Sequence, residues 1–402
     1  MPRVTIKKCP KVYMLETHRS KTPDSTLKFV ENMKDTLEML NFQNATKLDR
    51  IGIPVFLCNR IRPDNSRTSH TGKGVSAIQA QVSLTMESIE RFSSEYRDDY
   101  APLLIKGCYA DLKKHHTVLN PESLILSMMN DYRHDREIYW MWGTDLLRQE
   151  DILVPACTVY HPFHLDDVFM INTHTNGIAT GNTMEEAVVH GLAEVIERDA
   201  WSIVQYNRHY RDALFVEDGA DSHFIIDIID SYEKAEVEIV AKDITSDIGV
   251  PVIAAFSRDM VHETMVPIDG FGAHLDPKVA MVRALLEIAT TRALFIDKYG
   301  IEGMQESMCA YYREEDETDP RFYASDRKNL SDIAVEYTDD IYDDIQILMM
   351  KLEARGLDRV IAVDLTRPDL GIPTVRMVVP GAEASCFDKS RRGERLMNTF
   401  QE

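Results

Sequence analysis

A short pattern occurs three times in this chain of 402 residues: an alanine, six further residues and a glutamate, with an arginine close behind. The copies lie in SAIQAQVSLTMESIER, TMEEAVVHGLAEVIER and DPKVAMVRALLEIATTR. In a helix, residues three and four positions apart share a face. Each copy therefore predicts a helix that carries carboxylates beside an arginine. The pattern runs from Ala80 to Glu87, from Ala187 to Glu194 and from Ala280 to Glu287.

Each copy begins with residues that are typical of a helix start. Ser76 precedes Gln79 by three positions and Thr183 precedes Glu186 by three, and both pairs fit the capping box that satisfies free amides of the first turn. Asp276 followed by proline predicts the third start, with an acceptor at the N-cap and proline at the first helical position. Because every start lies four residues before the alanine, we expect three equivalent helices entered by equivalent turns.

A second repeat predicts strands. Gly-x-Pro motifs at 52–54, 249–251 and 371–373 lead into the β-rich runs VFLCN, VIAAFS and TVRMVV, and Val-Pro at 154–155 leads into a similar run, ACTVY. The segments EVEIVAKDI and DRVIAVDL precede two of these runs, and we expect antiparallel pairing within each pair. Since strands and helices alternate in blocks rather than in a steady βαβ rhythm, the prediction is an α+β fold with internally repeated strand and helix units.

Composition excludes several classes of function. The formal net charge of −21 opposes a general attraction to nucleic acid, and a phosphate ligand would need divalent cations. The start lacks the apolar run of a signal peptide and no stretch of about 20 apolar residues could span a bilayer, so we expect a cytoplasmic protein without a membrane partner. The cysteines form no CxxC pair, and the sequence selects none of them as a catalytic thiolate. They are Cys9, Cys58, Cys108, Cys157, Cys309 and Cys386.

The charged faces of the predicted helices allow two interpretations. The first helix places Glu87 and Glu90 on one polar stripe, and the second repeats this spacing with Glu194 and Glu197. The simpler interpretation is a solvated face with ion pairs worth about 0.2–0.5 kcal/mol each. That interpretation explains poorly why the acidic pair and its arginine recur at the same offsets.

A site for a metal-bound nucleotide explains the recurrence better. Carboxylates that converge repel each other unless cations neutralise them, and Mg²⁺ is usually held by a few carboxylates together with nucleotide phosphates. Arg198 and Arg283 would then bind phosphate oxygens that the metal leaves uncovered. The predicted site is therefore a magnesium and nucleotide site.

Other interpretations of single motifs stay open. His190 and Glu194 are spaced like zinc ligands, but HExxH is absent, and a core or supporting histidine is the commoner case. The segment 72–74, Gly-Lys-Gly, resembles a phosphate loop without the Walker spacing. The segment 176–182, NGIATGN, could cradle a ligand at the start of the second helix or simply form a turn.

Three segments together resemble the signature of the YcaO family. They are GKGVSAIQAQVSLTMESIER, NTHTNGIATGNTMEEAVVHGLAEVIERD and VRALLEIATTR, in this order, within residues 67–292. The resemblance implies the YcaO α+β fold over residues 66–402, with residues 1–65 as an N-terminal segment that contributes to the nucleotide site. It implies ATP and Mg²⁺ as cofactors, and activation of a peptide backbone amide oxygen by ATP so that a nucleophile attacks the amide carbon.

The resemblance also assigns roles to twelve residues by matching motif. The acidic positions, which mainly bind Mg²⁺ in the family, are Glu87, Glu90, Glu186, Glu194, Glu197 and Glu287. The positions that contact the nucleotide are Arg19, Thr26, Lys73, Asn182, Arg198 and Arg283. Of these, Arg198 and Arg283 match the arginines that contact phosphates and are the predicted catalytic residues.

The end of the chain, RGERLMNTFQE, lacks the proline-rich tail that is common in azoline-forming members. The chain therefore resembles most the TfuA-associated members that make thioamides, such as those that form thioglycine in methyl-coenzyme M reductase of methanogens. This resemblance implies sulfide as nucleophile, a TfuA-like sulfur-delivery partner, and a protein or peptide substrate such as the alpha subunit of that reductase. Azoline formation and an ATP-binding accessory role in ribosomal-protein sulfur modification are the alternatives. No general base is indicated, and a homodimer is one option for the oligomeric state.

Overall fold

The structure is a computed structural model that describes residues 3–62, 64–208, 210, 212–219, 222–262, 265–308, 321–322 and 326–398, with side chains up to residue 301 in the helix that ends at 308. The helices in these ranges are α1 (Pro23–Val30), α2 (Ala77–Ser94), α3 (Tyr109–Leu112), α4 (Met184–Asn207), α5 (His223–Lys234), α6 (Pro277–Met308, interrupted at Gly300), α7 (Ile341–Glu353) and α8 (Glu394–Asn398). The strands are β1 (Tyr13–Met14), β2 (His18–Arg19), β3 (Leu40–Asn44), β4 (Val55–Ile61), β5 (Arg67–Lys73), β6 (Ile105–Cys108), β7 (Glu137–Asp145), β8 (Glu150–Pro155), β9 (Ile178–Thr180), β10 (Ala213–Phe215), β11 (Val237–Asp243), β12 (Val252–Asp259), β13 (Ile268–Ala273), β14 (Arg327–Asn329), β15 (Ile361–Asp364) and β16 (Thr374–Val378).

The described strands form four sheets, and antiparallel pairing dominates all of them. One sheet has the order β13-β12-β11-β10-β14, and another has the order β6-β7-β15-β16-β9 with β8 paired to β7. A three-stranded sheet has the order β3-β4-β5, and β1 pairs with β2. Among the described strands, β10 and β14 form the one parallel pair. The predicted α+β class is confirmed, and so is the antiparallel pairing of β11 with β12 and of β15 with β16.

Two repeat units have the same construction, in which an antiparallel hairpin is followed directly by a long helix. The first unit is β4, β5 and α2, and the second is β12, β13 and α6. The third helix, α4, follows β9, which pairs with β16 from the far end of the chain rather than with a preceding strand. The predicted repeat thus holds for the three helices, while the third copy has a different strand arrangement.

One predicted strand is wrong, and one predicted boundary falls inside a structural unit. The run ACTVY after Val154-Pro155 is not a strand, because β8 ends at Pro155 and residues Ala156–Thr158 form a short 3₁₀ helix. The predicted limit between residues 65 and 66 lies in the turn between β4 and β5, so the three-stranded sheet contains residues from both sides of it.

The three predicted helix starts are present. Ser76 and Gln79 form the complete capping box, with Ser76 N donating to Gln79 Oε1 at 3.2 Å and Gln79 N donating to Ser76 Oγ at 3.3 Å. Asp276 accepts from the amide two residues further on at 2.9 Å. Thr183 caps α4 by accepting from Glu186 N at 3.2 Å, but the Glu186 carboxylate does not complete this box, because it binds other partners.

The alanine of the pattern marks a very close contact between helix and strand. A Cβ atom added at Gly72 of β5 would lie 2.2 Å from the carbonyl oxygen of Ala80, and one added at Gly272 of β13 would lie 2.2 Å from that of Ala280. Real Cβ atoms do not approach oxygen so closely, so only glycine fits on the strand. This contact brings the carboxylate-bearing helix onto the edge strand of its sheet.

The helices bury their apolar sides against the sheets around α4. One core cluster joins α4 and α7 to β12, β15 and β16, and a second joins α5 and α6 to the opposite face of β12 and to β4. Alternate residues of β12 enter the two clusters, as a strand of period two requires: Val252 and Ala254 enter the first, and Ile253 and Ala255 the second. The polar faces of α2, α4 and α6 are thereby left to meet each other.

None of the helices in the described ranges combines the length and the apolar character that crossing a bilayer requires.

We expect Gly72→Ala and Gly272→Ala each to lower the free energy of unfolding by roughly 3 kcal/mol, because the added methyl group forces the helix away from the strand. Gly219→Ala is the matched control, since the nearest atom to its Cβ would be Ser222 Oγ at 3.6 Å. It should change stability by less than about 1 kcal/mol. Urea unfolding of the three variants measures this, and equal stability of all three would contradict the close contact.

Candidate functional site

A cavity of about 460 Å³ lies where α2, α4 and α6 meet the N-terminal segment and the edge strands β5, β9 and β13. Its volume is within the range of sites for small ligands. All twelve residues predicted from the sequence line this one cavity. They are Arg19, Thr26, Lys73, Glu87, Glu90, Asn182, Glu186, Glu194, Glu197, Arg198, Arg283 and Glu287.

On the α2 side, the pKa values of two carboxyl groups are shifted in opposite directions. Burial raises the pKa of Glu90 to about 8, helped by the charges of Glu194 and Glu87, although Arg91 lies 3.2 Å from it and favours the ionised form. For Glu87, burial opposes ionisation, but the contact with His70 and the charge of Arg91 outweigh it and lower the pKa of this carboxyl. A cation bound beside a protonated carboxyl group and an ionised one favours the ionised form of both.

On the α4 and α6 side, Arg198 lies between two carboxylates. Its Nη2 atom is 3.3 Å from Glu197 and 3.8 Å from Glu287, and the guanidinium stacks 4.9 Å from the ring of Trp201. Burial disfavours the charged guanidinium, but the carboxylates around it outweigh burial and raise the pKa of Arg198. Burial also raises the pKa of Glu197. This arginine is therefore charged and fixed in orientation.

Glu287 is held by the edge of the sheet. Its Oε2 atom accepts a hydrogen bond from the amide of Phe271 on β13 at 2.8 Å. Burial opposes its ionisation, yet the charges of Lys73 and Arg198 outweigh burial and lower the pKa of Glu287. The charge of Lys73 thus acts on Glu287 from β5, and Arg198 of α4 lies 3.8 Å from it, so groups from three walls of the cavity act on this carboxylate.

Five of the carboxylates thus form two pairs and one further residue whose charge acts on both pairs. Glu87 and Glu90 make the first pair and Glu197 and Glu287 the second, and the charge of Glu194 acts on Glu90 and on Glu197 alike. Among the described residues, no three His, Cys, Asp or Glu side chains are gathered closely enough to form a metal site by themselves. This arrangement fits Mg²⁺, which takes only one or two protein carboxylates when phosphates and water complete its ligands.

The N-terminal segment closes the opposite end of the cavity. Thr26 Oγ1 donates to Asn182 Oδ1 at 2.9 Å, so these two predicted nucleotide-binding residues touch each other. Glu186 accepts from Ser20 Oγ at 2.6 Å and from the backbone and side-chain amides of Asn182 at 2.8 and 2.9 Å. The backbone amide of Ser20 also donates to Glu186. Both carboxylate oxygens of Glu186 are therefore occupied by protein donors.

Arg283 is oriented by a histidine that cannot serve as a zinc ligand in this geometry. Its Nη2 atom donates to His190 Nδ1 at 2.8 Å, and its Nη1 atom donates to the carbonyl of Ala273 at 3.3 Å. Burial and the charge of Arg283 lower the pKa of His190 well below its ordinary value, so the ring is neutral. The supporting role is thus the one observed for His190.

Two guanidinium groups of the cavity retain free donors. Arg198 Nε and Arg91 Nη1 are buried and make no hydrogen bond among the described residues, although Arg91 Nη1 lies 3.2 Å from Glu90 in an ion pair. Buried N–H groups normally find an acceptor, and phosphate oxygens are the acceptors that arginine fits best. These free donors fit a phosphate-bearing ligand in the cavity.

Sequence reasoning missed several residues of this site. Arg91 was visible in the repeated pattern but received no role, and Lys21 and Glu16 line the cavity without any motif that would have identified them. Glu16 accepts a hydrogen bond from Gln79 across the cavity wall. The signal for Arg91 was its place four residues after Glu87, which matches Arg198 four residues after Glu194.

The described cysteines offer no nucleophile to the cavity. Cys9, Cys58 and Cys157 are buried, all five described cysteines are free thiols, and none lines the cavity. Cys309 lies outside the described residues.

Known proteins share both the sequence and the fold that build this cavity. Residues 71–383 match the family described as YcaO cyclodehydratase, ATP- and Mg²⁺-binding. An uncharacterized protein of Methanothermobacter thermautotrophicus is 34% identical over 399 residues, which cover 94% of this chain and 98% of the relative. A protein of Rhizobium leguminosarum bv. trifolii, named for its place in the tfuA 3′ region, is 26% identical over 385 residues, which cover 89% of this chain and 86% of the relative. The solved structure of YcaO from Methanopyrus kandleri, bound with AMPPCP and Mg²⁺, is 30% identical, has a TM-score of 0.78, and covers 97% of this chain and 98% of that chain.

We expect the nucleotide-free protein to lose stability as the pH rises from about 4.5 to about 8, the two values between which the pKa of Glu90 moves on folding. In that window the unfolded state releases the proton of Glu90 while the folded state retains it, so a rising pH favours unfolding. Glu90→Gln removes this titration and should raise the free energy of unfolding at pH 8.5 by about 2 kcal/mol, with little gain at pH 4.

Urea unfolding with a chelator present measures this effect. Glu353→Gln, an exposed change on α7, is the control and should leave the pH dependence unaltered. A Glu90→Gln curve parallel to that of the wild type across the pH range would contradict the buried, protonated state of Glu90.

Proposed function

We propose that this chain, which belongs to the YcaO family of ATP- and Mg²⁺-binding cyclodehydratases, uses ATP to activate a peptide backbone amide for attack by sulfide. Family membership confirms the resemblance found in the sequence, the predicted fold and the predicted cofactors ATP and Mg²⁺. The proposed product is a peptide thioamide. The carrying observation is the cavity of nucleotide size, which seven glutamates and several cationic side chains line together.

The two carboxylate pairs are the proposed metal sites. Glu87 and Glu90 would hold one Mg²⁺ and Glu197 and Glu287 another, with Glu194 between them. Mg²⁺ held by these residues would neutralise negative charge on the phosphates of the nucleotide. The raised pKa of Glu90 supports this proposal, because a cation at this position removes the cost of ionising it.

We assign Glu186 a positioning role instead of the metal role predicted from the sequence. Its two oxygens already accept four hydrogen bonds, which tie Ser20 to Asn182. A carboxylate occupied in this way orients its donors and has little capacity left for a metal. Glu186 would thereby place Asn182, and with it Thr26 and Arg19, against the nucleotide.

The proposed reaction needs charge neutralisation more than acid or base catalysis. Sulfide adds to the amide carbon while the amide oxygen takes the γ-phosphoryl group of ATP, and loss of phosphate then leaves the C=S bond, with ADP as the other product. Arg198 and Arg283 would bind the phosphoryl oxygens as charge moves onto the leaving ADP. Arg198 is held rigidly by Trp201 and the carboxylates, and Arg283 by His190, so both are oriented before the nucleotide binds.

One observation supports sulfide as the nucleophile. A relative 26% identical to this chain takes its name from the tfuA 3′ region, which agrees with a TfuA-like partner that supplies sulfur. Methyl-coenzyme M reductase as the substrate, a homodimer and a cytoplasmic location stay predictions.

Azoline formation is the second candidate, because the family is described by its cyclodehydratase activity. It would use the same ATP site and a Cys, Ser or Thr side chain of the substrate as nucleophile. The difference lies in the product, since a thioamide exchanges oxygen for sulfur and an azoline loses water.

Incubation of the purified protein with ATP, Mg²⁺, sulfide and a target peptide, followed by mass spectrometry, separates the two reactions. We expect oxygen to be replaced by sulfur only when ATP and sulfide are both present. Loss of water without sulfide would establish azoline formation instead. Thioamide formed in cells by an Arg198→Ala variant would favour the accessory role, because that variant removes the proposed phosphoryl contact.

We also expect ATP binding to depend on Mg²⁺, because the carboxylates of the cavity repel an uncomplexed triphosphate. Chelation of Mg²⁺ should weaken ATP binding at least about tenfold in calorimetric titration, and Glu287→Gln should weaken Mg²⁺-dependent binding by a similar factor. Glu233→Gln, an exposed change on α5, is the control and should bind like the wild type. Equal affinity with and without chelator would contradict the metal assignment.

A further inference from the structure

A second, much smaller cavity lies on the other side of α4 and has no part in the proposed reaction. It has a volume of about 50 Å³ and is enclosed by α4, β16, the loop before β9 and the segment that follows β16. Two arginines line it, Arg376 and Arg391, whose side chains are buried at 3% and 5% exposure. We call it the arginine cavity.

Neither guanidinium group donates a hydrogen bond to a carboxylate of the described residues. Arg391 donates to the carbonyl oxygens of Ile125 and Leu124, both at 2.8 Å. Arg376 Nη1 donates to the carbonyl of His174 at 2.7 Å. Carbonyl groups solvate a cation but do not neutralise it, so two positive charges remain buried here.

The imidazole of His174 lies between the two guanidinium groups and cannot satisfy both. Arg391 Nη1 is 2.9 Å from its Nε2, and Arg376 Nη2 is 3.4 Å from its Nδ1, which also receives the amide of Asn176 at 3.2 Å. A neutral imidazole accepts a hydrogen bond at only one of its nitrogens. In either tautomer, the other ring nitrogen carries a proton and faces the N–H group of an arginine. Burial and the two guanidinium charges lower the pKa of His174 well below its ordinary value, which keeps the ring neutral.

Further buried polar atoms around the cavity lack partners. Arg376 Nε and Asn176 Oδ1 have no hydrogen bond among the described residues, and Asn176 is only 6% exposed. The oxygen and nitrogen of an amide have nearly the same shape, so a rotated Asn176 presents a donor instead. As placed, the described side chains leave one donor, Arg376 Nε, and one acceptor, Asn176 Oδ1, unpartnered beside two positive charges.

Burial of these charges has a visible cost. It lowers the pKa of Arg376 to about 9 and also lowers that of Arg391. Glu194 attracts Arg376 from the nucleotide cavity and Asp388 attracts Arg391, but neither carboxylate enters the arginine cavity. Two buried cations without a carboxylate in hydrogen-bond contact are stabilised most directly by an anion between them.

We propose that the arginine cavity binds one small monovalent anion, held by Arg376 Nε, Arg391 Nη1 and the side chain of Asn176, whose amide group would rotate to turn its Nδ2 toward the ion. The volume of about 50 Å³ is large enough for a single-atom anion. Few donors are free, because the other N–H groups already donate to carbonyls, and this favours a single-atom anion over a phosphate. The ligand class is thus a halide or hydrosulfide, and hydrosulfide rests on the proposed function, which consumes it.

Bromide is the probe for this site, because its NMR signal broadens when the ion is bound by a protein. With the full-length, nucleotide-free chain we expect broadening that chloride reverses by competition. Asn176→Asp places a carboxylate in the cavity and should weaken bromide binding at least about tenfold. Asn44→Asp, the same change at an exposed position, should broaden bromide like the wild type. Equal broadening by Asn176→Asp and the wild type would overturn the proposal.

A second measurement does not depend on the folding of a variant. Crystals of the wild type soaked in bromide should show one anomalous peak between Arg376 and Arg391, and its absence at full soaking would overturn the proposal. Hydrosulfide added to the bromide sample separates the two sources of anion. Restored narrow bromide lines would identify a site that takes hydrosulfide, whereas unchanged lines would overturn hydrosulfide as a ligand and leave a halide site. Since these readouts need no turnover, failure of thioamide formation would overturn the reaction and not this site.

Discussion

The close packing of α2 on β5 and of α6 on β13 is the constraint on which the functional site depends. Because Gly72 and Gly272 have no side chain, each helix lies directly on the edge strand that precedes it. The alanine fixes the contact, and the glutamate seven residues later is about two turns along the same helix. There Glu87 contacts His70 of β5, and Glu287 accepts a hydrogen bond from the amide of Phe271 of β13. The repeated spacing of seven residues therefore sets how far each glutamate lies from the contact between its helix and the strand.

The same construction explains why so much charge can be buried. The cavity forms where the edges of three sheets meet, and edge strands have free backbone amides that can bind carboxylates. The amide of Phe271 on β13 binds Glu287 in this way. Carboxylates and guanidinium groups then alternate around the walls, so each is stabilised by a neighbour of opposite sign. At Glu90 burial outweighs the attraction of Arg91 and raises the pKa of the carboxyl to about 8, so a cation at this position would favour its ionised form.

The sequence predicted the parts of this site that depend on residues close together in the chain, and it missed the parts that depend on distant residues. Helical spacing and capping are local, so three helices and the faces that carry Glu87, Glu194 and Glu287 could be predicted. The partners of Glu186 could not, because Ser20 is far away in sequence and meets α4 only after the N-terminal segment has folded across the cavity. The same applies to β9, whose partner β16 lies near the other end of the chain. The strand predicted for the run ACTVY was wrong because Ala156–Thr158 form a short 3₁₀ helix, and a buried apolar run does not distinguish between the two structures.

The two cavities are electrostatically connected through α4. Glu194 lines the nucleotide cavity, and Val195, the next residue, lines the arginine cavity. Arg376 and the carboxylates of the nucleotide site therefore lie on opposite sides of the same turn of α4. The attraction between Arg376 and Glu194 competes with any cation that Glu194 would hold. An anion beside Arg376 weakens this attraction and leaves more of the Glu194 charge for the nucleotide side. The buried arginines, which none of the family motifs contains, would in this way tune the site that those motifs build.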